Sequence, residues 1–140
     1  IKKENFIFSV GTCHPIKGFD FIINSLRYIP ENERPKLIIA SNGNYPEWKK
    51  YLEELAKENN VNVEIKIAIS NAELVKLYNQ AKVVVYTPYL EPFGLVPLEA
   101  MACGTPIIGA KEGGIRESII HDKTGILVER NEKELAKAIT

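Results

Sequence analysis

The segment Lys82–Ala110, KVVVYTPYLEPFGLVPLEAMACGTPIIGA, is apolar at both ends and interrupted by a turn and a helical pattern. Its first part, Lys82–Pro88, is almost wholly apolar and β-branched, the composition of a strand covered on both faces. Such a strand belongs in a parallel sheet, whose crossovers lay helices over the faces. The crossover follows at once, because the spacing predicts a helix from about Leu95 to Cys103, stopped by Gly104. Thr105–Ala110 then returns as the next strand. One strand–helix–strand unit of this kind commits the chain to right-handed parallel wiring.

The same alternation extends in both directions. Towards the N-terminus, Phe6–Gly11 reads as a buried strand. A helix follows with Phe19, Ile22, Ile23, Leu26 and Ile29 on one face. Lys36–Ala40 is the second strand, and PEWKKYLEELAKE places Trp48, Leu52, Leu55 and Ala56 together, a stripe with Tyr51 expected in the core. Lys49, Lys50, Lys57 and Lys66 read as solvated surface. Val61–Ile69 alternates as a strand should, and Asn71 is the expected N-cap of the helix after it. Towards the C-terminus, GIRESII (Gly114–Ile120) reads as a short helix, Gly125–Glu129 as a sixth strand, and the tail as a helix. The expected fold class is therefore α/β: a Rossmann-like open parallel sheet of about six strands with helices on both faces. Two mononucleotide-type halves predict the strand order 3-2-1-4-5-6.

The totals narrow the function. The 140 residues make one domain, and 18 basic against 18 acidic residues leave a net charge of zero. That balance argues against nucleic acid or anionic membrane as a partner. Asp20 and Asp122 are the only aspartates, which disfavours a metal site built on an aspartate cluster. Cys13 and Cys103 read as buried reduced thiols, and a cytoplasmic location is expected. No apolar run approaches the roughly 18 residues of a membrane span, and no signal peptide opens the chain. The start at Ile1 and the helical pattern running to Thr140 suggest an excised piece of something longer.

In an open parallel sheet the ligand site lies beyond the carboxyl ends of the strands, where the order reverses. Strands one and four meet there, and their loops are GTCHPIKG (Gly11–Gly18) and PYLEPFG (Pro88–Gly94). The second loop feeds a helix with Pro97 in its first turn, leaving the amides near Gly94, Leu95 and Val96 aimed at an anion. Lys17 can add a full positive charge from across the crevice. Glu91 and Glu99 flank the helix start. In a chain with this much glutamate their spacing carries no information, so their placement must. Ionised carboxylates accept two hydroxyl donors at once and suit a vicinal diol, not a phosphate. A diphosphate between two polyols would match, and that describes a nucleotide sugar. The reading of Glu91 and Glu99 as unrelated surface charges remains open on these grounds alone.

EPFGLVPLEAMACGTPIIGAKEGGIRE (Glu91–Glu117) resembles the donor-binding half of family 4 retaining glycosyltransferases of the GT-B architecture. Phe93, Gly94, Glu99, Gly104, Pro106, Gly113, Gly114 and Glu117 fall in register with that family. FSVGTCHPIKGFDFIINSL (Phe8–Leu26) resembles its first strand and loop, and TGILV (Thr124–Val128) its sixth strand, so the resemblance covers nearly the whole chain. It implies that residues 1–140 are the nucleotide-sugar donor-binding domain, one half of a GT-B pair, without the N-terminal acceptor domain. In this likeness Glu91 holds hydroxyls of the donor sugar and Glu99 the ribose diol. The backbone of Phe93, Gly94 and Leu95 meets the diphosphate and sugar, Gly11, Thr12 and Val96 belong to the same donor-binding set, and Lys17 neutralises the departing diphosphate. Ile69 and Ser70 hold the base through backbone. Lys17 and Glu91 are the expected catalytic pair. Neither a cofactor nor a metal is implied, and any membrane contact would fall to the missing half.

The sequence departs from the family at Thr12, where an Arg is usual. A hydroxyl does not replace a forked cation on a diphosphate, and His14 is the nearest substitute. The alternative expectation is a non-catalytic nucleotide-binding or assembly module derived from the same fold.

Overall fold

The computed structural model describes residues 3–43, 45–89, 96–111 and 125–140. They form six strands, β1 (Phe6–Val10), β2 (Lys36–Ser41), β3 (Val63–Ile67), β4 (Val83–Tyr86), β5 (Ile107–Ala110) and β6 (Ile126–Val128). Every pairing is parallel and the order is β3-β2-β1-β4-β5-β6, as the sequence predicts. Five α-helices accompany them among these residues: α1 (Phe19–Leu26), α2 (Pro46–Glu58), α3 (Asn71–Gln80), α4 (Val96–Ala102) and α5 (Glu132–Ile139). The helix expected over Gly114–Ile120 lies outside the described residues.

Alternation along the central strands divides the core into two layers. Ile7, Ile39, Val83, Val85 and Ile108 turn towards Phe19, Ile22, Leu26, Leu52 and Leu135, on the face covered by α1, α2 and α5. Phe6, Phe8, Ile38, Val84 and Ile107 turn towards Leu77, Tyr78, Val96 and Ala100, on the face covered by α3 and α4. Each fully buried side chain of this size stabilises the fold by about 1.5–3 kcal/mol in transfer terms. This explains why β4 reads as apolar without alternation: both of its faces are interior.

Local details correct the sequence reading. The N-cap of α3 is Ser70 rather than Asn71, because the Ser70 hydroxyl accepts the Glu73 amide at 3.1 Å and leaves Asn71 inside the first turn. Tyr51 is 43% exposed and stacks on Trp48 with ring centroids 4.6 Å apart, so the α2 stripe is core at Leu52 and Ala56 but surface at Tyr51. Cys13 is buried, whereas Cys103 is only half-buried, and both are free thiols. Lys66 is not merely solvated: it bridges Glu64 and Glu73 at 3.4 and 3.1 Å, while Lys36 meets Glu64 at 2.6 Å. These charges line the exposed flank of the edge strand β3, where they disfavour pairing with a foreign strand.

The loops at the reversal are joined through backbone. Gly18 opens α1 at φ 73°, and a Cβ built there would sit 2.1 Å from the Thr87 carbonyl oxygen just after β4. Gly104, at φ 71°, has nothing within 4 Å of its corresponding position. The two glycines share nearly the same positive φ, so the same substitution separates the conformational cost from the contact cost. Gly104→Ala is expected to destabilise by about 1 kcal/mol, the usual left-handed penalty. Gly18→Ala is expected to cost at least about 3 kcal/mol, because backbone must move. Urea unfolding of both variants checks this, and equal losses would refute the contact.

Candidate functional site

A crevice of about 440 Å³ opens at the carboxyl ends of β1, β2 and β4, where the strand order reverses. Of the residues singled out from sequence, it gathers Gly11, Thr12, Lys17, Ile69, Val96 and Glu99 on one wall or another. Ser70 does not line it; its hydroxyl caps α3. Glu91, Phe93, Gly94 and Leu95 lie outside the described residues.

Lys17 is delivered by a tight turn. Pro15–Lys17 forms a single 3-10 turn, with the His14 ring Nδ1 accepting the Ile16 amide at 3.3 Å. His14 is thus the turn's cap, a structural task. The Lys17 stem passes over Gly11, where an added Cβ would lie 3.3 Å from Lys17 Cδ. Gly11 has φ 153°, so a side chain there would crowd the lysine and strain the backbone together. The turn is then tied across the crevice: the Tyr89 amide donates to the Ile16 carbonyl at 2.9 Å, and the Thr87 hydroxyl donates to the Gly18 carbonyl at 3.3 Å.

Thr12 occupies the opposite lip. Its hydroxyl donates to Asn42 Oδ1 at 3.1 Å, joining the loop after β1 to the loop after β2. Asn42, Asn71, Leu74 and Ala68 also line the crevice and were not anticipated. Ala68 has φ 55°, and this left-handed residue turns the chain out of β3 so that Ile69 comes back to the wall. A positive φ at alanine has no sequence signal, so only Asn42 and Asn71, polar residues just past strand ends, were open to detection.

Glu99 stands exposed in the first turn of α4. Beneath it the Tyr78 ring is 1% exposed and packs edge-on against Phe8, with centroids 5.2 Å apart. Burial first, and then the negative charge of Glu99, raise the Tyr78 phenol well above its ordinary 10.0. The crevice therefore has a lysine towards the β1 side and a carboxylate underlain by a proton-retaining phenol towards α4. Such a surface can take an anion at one end and hydroxyl donors at the other. Among the described residues no group of three or more His, Cys, Asp or Glu is arranged to hold a metal, and no helix is long and apolar enough to cross a membrane.

Residues 1–140 match the family described as glycosyl transferases group 1. An uncharacterized glycosyltransferase of Methanocaldococcus jannaschii is 38% identical over 127 residues, covering 89% of this chain and 32% of its own length. A D-inositol 3-phosphate glycosyltransferase of Xylanimonas cellulosilytica is 33% identical over 125 residues, covering 88% of this chain and 30% of its own. Among solved structures, sucrose-phosphate synthase from Thermosynechococcus elongatus superposes with a TM-score of 0.86 at 31% identity, over 99% of this chain and 36% of that one. HepE from Anabaena, in complex with UDP-glucose, superposes with a TM-score of 0.85 at 26% identity, over 97% and 38%. The chain thus spans about a third of the length of the curated relatives it matches.

The Tyr78–Glu99 arrangement has a pH signature. A phenol raised in the folded state leaves stability intact below its unfolded value and erodes it as pH climbs above about 10. Tyrosinate absorbance during alkaline titration is expected to show a late phase, well above pH 10, that belongs to Tyr78. Tyr78→Phe should remove a late-titrating group, and an unchanged late phase would refute the assignment.

Proposed function

The chain belongs to the glycosyl transferases group 1 family, and from that premise we propose that it is the donor-binding domain of a retaining enzyme that moves a sugar from a nucleoside-diphosphate sugar to an acceptor hydroxyl. The observation that carries this reading is the crevice at the β1/β4 reversal, with Lys17 and Glu99 on its walls and Ile69 beside them. A nucleotide would lie across it with the ribose diol on Glu99, the base against the backbone at Ile69 and the diphosphate towards Lys17. The complex of the related HepE with UDP-glucose supports this class of ligand.

Cleavage of the bond between the anomeric carbon and the diphosphate oxygen leaves negative charge on the departing nucleoside diphosphate. Lys17, carried by the Pro15–Lys17 turn, would stand beside it. A fixed cation aimed at developing charge is worth several kcal/mol in the transition state, on the order of 3 for one well-placed donor. Positive charge from Lys17 and the start of α4 fills the role a metal would otherwise serve. Glu91 would orient the sugar hydroxyls, and the hexose-like donor follows from the same likeness. The acceptor would bind on a further domain, so this domain alone would hold donor without transferring sugar. Two free thiols suit a reducing compartment and the cytoplasm.

The competing reading, a non-catalytic nucleotide module, draws on Thr12, whose hydroxyl is engaged with Asn42 instead of presenting a cation. Titration calorimetry with UDP, GDP and ADP tests the site itself, and absence of binding by all three at millimolar concentration would end the donor-site reading. With the diphosphate that binds, Lys17→Ala is expected to weaken affinity about tenfold or more. Glu99→Gln is expected to erase the preference for ribose over 2′-deoxyribose, because the diol loses its charged acceptor. If Lys17→Ala and Glu91→Ala both leave nucleotide-sugar binding unchanged, the module reading or a different pocket takes its place.

A further inference from the structure

Arg130 follows β6 yet makes its contacts at the exit of β4. Its Nη2 donates to two successive carbonyls, Thr87 at 3.1 Å and Pro88 at 2.9 Å. Its guanidinium carbon lies 3.9 Å from the centroid of the Tyr89 ring and 5.0 Å from that of Phe21 in α1. One nitrogen serves two main-chain oxygens while the flat guanidinium lies within reach of two aromatic rings, and it is this planar contact with the rings that lysine lacks.

The segment Arg130 grips is the one that holds the Lys17 turn. Thr87 reaches Gly18 through its hydroxyl and through the glycine contact, and Tyr89 reaches Ile16 through its amide. Phe21, the other stacked ring, sits in the first turn of the helix that Gly18 opens. Three pieces of chain far apart in sequence therefore converge on one guanidinium: the end of β6, the exit of β4 and the start of α1. Thr87 is wholly buried, and the backbone it presents has Arg130 as a donor to its carbonyl.

We infer that Arg130 is a positioning residue for Lys17: by fixing Thr87–Tyr89 it fixes the turn that presents the lysine to an anionic ligand. Arg130 itself is not among the residues lining the crevice, and its influence runs through the strap. The functional half of this inference rests on the donor-site reading above, whereas the mechanical half does not. The anion concerned is the diphosphate of a nucleoside diphosphate, the ligand class whose charge needs Lys17 in a fixed place.

The test uses the 140-residue chain with Arg130→Met, Arg130→Lys and Tyr89→Leu. Backbone amide exchange read by NMR in the absence of ligand is expected to speed up about tenfold or more at Tyr89 and Lys17 in Arg130→Met, with core amides of β1 and β2 unchanged. Arg130→Lys should recover little of this protection, and Tyr89→Leu should share the loss. Unchanged exchange at Tyr89 in Arg130→Met would overturn the inference, as would full recovery by lysine. Should Arg130→Met fail to fold, Arg130→Lys and Tyr89→Leu carry the same readout. In the second arm, Arg130→Met should weaken the wild type's preferred diphosphate (UDP, GDP or ADP) about tenfold and leave the matching nucleoside unaffected. Equal weakening of both, or of neither, would count against the positioning role. If the wild-type chain binds no diphosphate at all, the donor-site reading falls, and the exchange data alone decide whether Arg130 fixes the turn.

Discussion

At Gly18 two main chains meet with no space for a side chain between them, and the site follows from that meeting. The Thr87 carbonyl occupies the volume where any other residue would carry its Cβ. Because of that approach the turn carrying Lys17 and the exit of β4 behave as one piece. The hydrogen bonds from Tyr89 to Ile16 and from Thr87 to Gly18 are consequences of the same proximity. The sheet order makes β1 and β4 neighbours, but the glycine makes their loops a single wall.

The architecture was legible because burial imposes a pattern that survives in composition. β4 could be identified as central from four successive apolar residues, since only a strand covered on both faces tolerates them. The starts of α2, α3 and α4 were legible to within a residue. The error at α3 is instructive: Ser70 and Asn71 are both good caps, and which one serves depends on where β3 releases the chain, a fact set by the left-handed Ala68. Tyr51 differs for another reason: its spacing sets it at the edge of the stripe headed by Leu52 and Ala56, where its ring is 43% exposed and lies on Trp48.

The site was legible only in part. Lys17 and Glu99 stood out because charged residues at a strand's end and a helix start are the ones a switch-point ligand would meet. Thr12 registers in sequence as a missing cation, whereas in the structure it is half of a link to Asn42 that closes one lip of the crevice. Arg130 gave no signal at all. It sits after the last strand, far along the chain from every loop it touches, and nothing in ERN distinguishes it from a solvated arginine. Only three-dimensional convergence gives it a role, because ring contact and donation to two remote carbonyls are relations between distant segments rather than properties of a motif.

The crossover at the centre of the sheet also sets an order of events. β1 must bond to β2, which comes soon after it, and to β4, which pairs Ile7 with Val83 far downstream. The first three strands and their helices can assemble from near neighbours, whereas joining β4 closes a long loop at an entropic cost that local contacts do not share. During synthesis the leading half would therefore be shaped while the second is still being made. The crevice draws Gly11 and Lys17 from one half and Val96 and Glu99 from the other, so its walls are complete only after the second half has joined the first. Anything that bridged both halves would then hold together a seam that the backbone closes late.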